Sequence, residues 1–200
     1  MKIVVATRNQ GKMKEIKAIL NDVGMEVVSL DAMNIDIDVE EDGETFEENA
    51  LKKATEIMEV CHEITLADDS GLEVDYLNGE PGVYSARYAG ENATDEDRNQ
   101  KLLKALEGVP LEKRSARFVS VIAVVFPEGG KIIVRGTCEG VIHFEPIGRH
   151  GFGYDPLFYM PEYDKTMAQM DSKLKNKISH RAKALQLLTE ELKAVGTEQE

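Results

Sequence analysis

The chain opens on a short apolar run, Lys2 to Ala6, then a polar loop, Thr7 to Gly11, then Met13, Ile16 and Leu20 at helical spacing. A continuous run followed by a three-to-four-residue period predicts a strand and then an amphipathic helix. A second short strand is expected around Glu26 to Leu30. An acidic loop, Asp36 to Glu44, leads into a helix whose Thr45 and Glu48 have capping-box spacing. Phe46, Ala50, Ala54 and Ile57 form its inward face. Next comes an apolar strand, Ile64 to Ala67, expected to stop at Asp68 and Asp69. Strands and helices in this alternation predict an α/β sheet.

Past Gly71 the rhythm changes. Leu72, Val74 and Tyr76 alternate, and Asn78-Gly79-Glu80-Pro81-Gly82 is turn chemistry. Thr94 with Asp97 opens another helix, which Gly108 and Pro110 close. Two long runs, Ala116 to Phe126 and Lys131 to Ile142, flank Pro127-Glu128-Gly129-Gly130 and predict an antiparallel hairpin. A glycine-rich loop, Gly148 to Pro156, precedes a last helix from about His180 to Leu192, with Ala184, Leu185, Leu188 and Leu192 on one face. No repeat, low-complexity stretch or linker interrupts the pattern. The expectation is a single mixed α/β domain over residues 1–195 and a frayed tail over 196–200.

Composition narrows what such a domain does. With 200 residues, 42% of them apolar and 30% charged, the chain has the makings of an ordinary folded domain. The longest apolar run, Val119 to Phe126, is strand-sized and broken by Ser120, so no membrane partner is expected. Cys61 and Cys138 are the only cysteines, and the N-terminus lacks a signal-peptide layout, so a cytoplasmic location is expected. A net charge of −13 argues against a nucleic-acid polymer as partner. It leaves room for a nucleotide, because a local group of cations, backbone N–H groups and a bridging metal hold a small polyanion.

Asp68-Asp69-Ser70-Gly71 places paired carboxylates where a strand delivers groups to a cleft, and such oxygens suit Mg²⁺. Thr7-Arg8-Asn9-Gln10-Gly11-Lys12 lies between a strand and a helix start, where N–H groups and the helix dipole attract phosphate. It departs from the P-loop pattern at Ala6 and Met13, which excludes a P-loop kinase or ATPase. Glu40-Glu41-Asp42-Gly43 supplies a second acidic group, relevant to a cation only if folding carries Glu40 to Asp69. Gly151-Phe152-Gly153-Tyr154-Asp155-Pro156 offers an aromatic ring to stack on a base and a carboxylate to orient it. Each stretch also has an ordinary structural reading as a capped turn or a solvated helix end. Ser179-His180-Arg181 is one such case.

Taken in order, six segments resemble one family, the non-standard purine nucleoside triphosphate pyrophosphatases (the Ham1, or inosine triphosphatase, family). They are Ala6 to Lys12, Gly43 to Ala50, Ala67 to Gly71, Pro81 to Arg87, Gly151 to Pro156 and Ser179 to Arg181, and they span nearly the whole chain. The resemblance implies an elongated, bilobal single α/β domain around a long mixed β-sheet with flanking helices. It implies Mg²⁺-dependent hydrolysis of ITP, dITP and XTP to the monophosphate and pyrophosphate by a homodimer that clears the nucleotide pool. Carried onto this sequence, Thr7, Arg8, Asn9, Gln10, Gly11 and Lys12 hold the triphosphate, Glu40 and Asp69 hold the metal, and Asp69 is the general base. Ser70 touches the substrate, while Phe152, Gly153, Tyr154, Asp155, Lys175, His180 and Arg181 bind the base and its neighbouring phosphate. Donors at Lys175, His180 or Arg181 facing the C6 carbonyl of hypoxanthine or xanthine would meet an amino group in adenine and lose the bond.

Two rivals make different predictions. Asp36-Ile37-Asp38-Val39 matches the nucleophile pattern of haloacid-dehalogenase-type phosphatases, which needs a buried strand just before it. A non-catalytic nucleotide-binding module would have no need of Asp69.

Overall fold

The computed structural model describes residues 1–197, and the expected tail residues 198–200 lie outside it. Gly196 and Thr197, also assigned to that tail, continue the last helix. The chain is an α/β fold around one seven-stranded mixed sheet. The strands are β1 (Lys2–Val5), β2 (Glu26–Ser29), β3 (Thr65–Val74), β4 (Ser115–Val125), β5 (Lys131–Ile142), β6 (Phe158–Met160) and β7 (Lys165–Thr166), in the order β2-β1-β3-β4-β5-β6-β7. The helices are α1 (Gln10–Asp22), α2 (Phe46–Cys61), α3 (Asp95–Ala105), α4 (Ser172–Ile178) and α5 (His180–Thr197). β1 pairs in parallel with β2 and β3, whereas β6 runs antiparallel to β5 and β7.

Two compact units divide the chain. The first holds Met1–Asp69, Ser120–Gly136 and the chain from His180; the second holds Ser70–Val119 and Thr137–Ser179. In the first, Ile3 and Val5 of β1, Leu66 of β3, and Ile122 and Val124 of β4 pack with Ile16 and Leu20 of α1 and with Ala184, Leu185 and Leu188 of α5. In the second, Leu72, Val74, Phe118, Ile142 and Phe158 meet Leu102 and Leu106 around α3.

The expected helices form for the expected reasons. Thr45 and Glu48 close a capping box on α2, whose Phe46, Ala50, Ala54 and Ile57 are buried. Thr94 and Asp97 do the same for α3. The strand expected to end at Ala67 does not end there. β3 continues through Asp68 and Asp69 to Val74 and is buried along nearly all its length. Aspartate is disfavoured in strand interiors, and here neutralisation by buried cations overrides that preference. The short helix α4 and the two- and three-residue strands β7 and β6 carry too few apolar positions to announce themselves in the sequence.

Candidate active site

Asp68 is fully buried on β3 of the first unit. The Lys12 ammonium lies 2.8 Å from its Oδ1. The Arg181 guanidinium donates from Nε and Nη2 to the two carboxylate oxygens, each at 3.2 Å, and the Ser120 hydroxyl donates to Oδ2 at 2.6 Å. Burial alone would raise the carboxyl, but Arg181 and Lys12 outweigh it and hold it well below the usual carboxylate range. Arg181 also pairs with Glu15 of α1, and its side chain is almost wholly enclosed. Gly136 on β5 admits this helix start: a Cβ there would run into the His180 carbonyl and the Ala184 nitrogen. The Arg181 guanidinium thus bonds the carboxylates of both Asp68 and Glu15. Sequence reasoning missed Glu15 and Ser120 because nothing local ties residues this far apart.

Asp69, one residue on, has the opposite environment. It is 4% exposed, and its Oδ2 is buried with no hydrogen-bond partner. Burial and, secondarily, the charge of Glu41 push its carboxyl up to about 6, against Lys12, Lys53 and the Asn49 side chain. Glu41 is an acid of its loop whose charge acts on Asp69, and the exposed Glu40 next to it acts on Lys52. Glu41 is ion-paired with Lys53, whose ammonium also donates to the Asp68 carbonyl at 3.3 Å. Asn49 of α2 is buried and accepts the Gly43 N–H at 2.8 Å, which ties the acidic loop to the helix.

Among the described residues no cluster of three or more His, Cys, Asp or Glu side chains is built to enclose a metal. An unpartnered carboxylate oxygen at Asp69 with Glu41 nearby fits a cation that takes one or two protein carboxylates and completes its shell with water and phosphate. Mg²⁺ binds in that way.

The loop before α1 is capped from within. Asn9 accepts the Lys12 N–H at 3.0 Å, and the Thr7 hydroxyl accepts the Asn9 N–H at 3.2 Å. α1 has no acidic residue in its first turn, unlike α2 and α3, so its N-terminal dipole keeps its attraction for an anion. Arg8 turns the other way, donating to the Ile35 carbonyl and to Asp31 and Asp36. A cavity of about 420 Å³ lies beside Thr7 and Gln10, walled by Val27 to Ala32. The stretch before Asp36 is a single 3-10 turn, Asp31–Met33, and Asp36 is exposed, so the buried strand that the phosphatase reading requires is missing.

The second unit carries the aromatic loop. Lys175 of α4 lies 2.5 Å from Asp155 Oδ2, and both are buried. The same Oδ2 accepts the Phe152 N–H at 3.0 Å, and the Lys175 ammonium sits 4.9 Å from the centre of the Phe152 ring. Gly151 has φ +76°, and a Cβ there would collide with Asp155 Oδ2, so conformation and space both demand glycine. The Gly153 peptide is clasped by α3: its N–H donates to Asp95 at 2.7 Å, and its carbonyl accepts from Asn99 at 3.1 Å. Arg98 pairs with Asp95 from the next turn. Tyr154 is buried and donates its hydroxyl to the Ser85 carbonyl at 2.8 Å. Burial raises its phenol, which serves here as a packing and donor group. Ser70 is half-buried, and Ser179 and His180 are buried.

A family model described as "Ham1 family" matches residues 3–191. The chain belongs to the Ham1 family. Among Ham1 relatives, the dITP/XTP pyrophosphatase of Desulforamulus reducens is 53% identical over the full length of both chains. The dITP/XTP pyrophosphatase of Clostridium perfringens is 52% identical, with 97% of this chain and 98% of the relative covered. The solved Staphylococcus aureus Ham1 protein superposes with a TM-score of 0.86 at 46% identity, covering 97% of this chain and 99% of that one. No helix among the described residues is long and apolar enough to cross a membrane.

Proposed function

We propose that this Ham1 chain hydrolyses dITP, XTP and ITP to the nucleoside monophosphate and pyrophosphate, with Mg²⁺ as the metal. The observation that carries the reading is the division between two adjacent acids: Asp68 spends its charge on Lys12, Arg181 and Ser120, while Asp69 keeps a buried oxygen without a partner. The names and near-complete coverage of its relatives support the substrate class.

Asp69 takes the proton from the attacking water. A carboxylate held near 6 is charged at neutral pH yet basic enough to accept that proton. When bound, Mg²⁺ would offset phosphate charge and polarise the bond that breaks. Asp69 with Glu40 would hold it, with Glu41 beside Glu40 in the same acidic loop. Thr7 to Lys12 cradle the triphosphate through the N-terminus of α1, with Lys12 as the cation, and Ser70 contacts the substrate. Phe152 stacks on the base, and Gly153, Tyr154, Asp155, Lys175 and His180 shape its recognition. We place Arg181 behind Asp68 as a positioning residue. The working form is taken to be a cytoplasmic homodimer, which sizing by light scattering tests directly.

The deciding assay separates pyrophosphate from orthophosphate released from dITP, XTP, ITP, ATP and GTP, with and without Mg²⁺. Pyrophosphate from the first three, little from ATP and GTP, and none without metal is the expected result. Orthophosphate as the sole inorganic product would overturn the reading.

A further inference from the structure

Pro81 to Arg87, one of the six family segments, holds no residue assigned to substrate or metal. In the second unit it nonetheless joins two stretches that do. After β3 the chain turns back on itself, so that the Glu80 carbonyl accepts the Val74 N–H at 3.1 Å and Pro81 bridges to Glu73. The strap that follows, Gly82–Arg87, is wound as 3-10 turns, with Ser85 buried inside it. The Ser85 hydroxyl accepts the buried Leu72 N–H at 2.8 Å and donates to the Gly82 carbonyl at 2.6 Å. Its own carbonyl accepts the Tyr154 hydroxyl at 2.8 Å. One residue thus connects β3, two positions past Ser70, to the loop that carries Phe152 and Asp155. A second thread runs beside the first. The Ala86 carbonyl accepts from Arg98 at 2.8 Å, Arg98 pairs with Asp95, and Asp95 accepts the Gly153 N–H at 2.7 Å. Two consecutive carbonyls of the strap therefore hold two consecutive residues of the aromatic loop.

We propose that Ser85 is a positioning residue for base recognition, the tie that sets the aromatic loop at a fixed distance from Ser70 on β3. The inference rests on the reading of residues 152–155 as the base site. Alanine at position 85 would leave the Leu72 N–H and the Gly82 carbonyl buried without partners, and the strap would shift to find others. Phe152 and Asp155 would then meet a purine away from their stacking and hydrogen-bonding geometry. The phosphate loop takes its bonds elsewhere: Asn9 caps Lys12, and Lys12 pairs with Asp68, all within the first unit. Loss of the tie should therefore fall on ligands that carry a base and spare those that do not.

The test is inhibition of dITP hydrolysis by its two products, dIMP with the base and pyrophosphate without it. It compares the full-length wild type with Ser85→Ala, Tyr154→Phe and the double variant. Each single variant should bind dIMP about ten-fold more weakly, roughly the worth of one hydrogen bond, with the pyrophosphate constant unchanged. Because both substitutions break one connection, the double variant should lose less than the product of the two single losses. If Ser85→Ala fails to fold, Tyr154→Phe decides alone, since it keeps the buried ring and removes only the hydroxyl. A wild type that releases no pyrophosphate from dITP overturns the functional reading itself. With an active wild type, dIMP binding that is unchanged, or that weakens in step with pyrophosphate, overturns the role of Ser85 alone. So do single losses that multiply in full.

Discussion

Ionising Asp68 costs the fold little because Lys12, Arg181 and Ser120 already surround the charge, whereas ionising Asp69 exposes a buried oxygen to no donor. Linkage gives this difference a measurable sign. Between its ordinary value of 3.8 and about 6, the folded chain keeps a proton on Asp69 that the unfolded chain has lost. Stability therefore falls as pH rises through that window and stays lower above it, by about 3 kcal/mol at most. Asp69→Asn, melted in urea without metal, should be more stable than wild type at pH 7 by about 1–3 kcal/mol and should lose this slope. Its kcat for dITP should drop by about 10²–10⁴. Arg181→Ala makes the contrasting prediction. Removing the guanidinium leaves Asp68 and Glu15 facing each other's charge, so a loss of about 3–5 kcal/mol is expected by denaturation. A stable Arg181→Ala protein with altered ITP-over-ATP selectivity would return Arg181 to the base.

At the scale of elements, the inward stripes of α2 and α3 were readable and so were their polar interruptions. On α2 the positions 46, 50, 54 and 57 are apolar, and Asn49 and Lys53 fall on the same stripe. On α3, Asp95 and Asn99 precede Leu102 along one face in the same way. A polar residue among inward apolar positions has to be satisfied inside the fold, and all four turn out to serve the two clusters. That signal was present and overlooked. The pairing of Lys175 with Asp155 was not readable in kind, because α4 is a seven-residue helix whose sequence reads as a solvated basic run. The full extent of β3 was not readable either, since Asp68 is tolerated mid-strand only through partners more than fifty residues away in sequence. The clasp on Gly153 gives a prediction at this scale. Asp95→Ala frees the peptide N–H and should raise KM for dITP about ten-fold, the worth of one charge-assisted hydrogen bond, with kcat nearly unchanged. Steady-state kinetics decide it, and Asp95→Asn should recover part of the loss.

For the molecule as a whole, the sheet-and-helix alternation, both capping boxes and the order of the chemical segments followed from sequence. The strand order and the partition of cations did not. Lys12, Lys53, Lys175 and Arg181 all turn inward to protein carboxylates, with side chains no more than 15% exposed. Even Lys12, the cation assigned to the triphosphate, shares its charge with Asp68, and the chain as a whole carries a formal charge of −13. A nucleoside triphosphate approaching such a protein is repelled at long range and attracted only on arrival. Encounter should therefore quicken with moderate salt, the reverse of electrostatic steering, as the screening length shrinks from about 30 Å at 0.01 M to about 10 Å at 0.1 M. Stopped-flow association of a fluorescent, slowly hydrolysed nucleotide should show an on-rate rising across that range, and a falling one would mean that an outward positive field prevails. An enzyme of this kind gains its partner by close-range fit, and it meets the metal-shielded nucleotide sooner than the bare one.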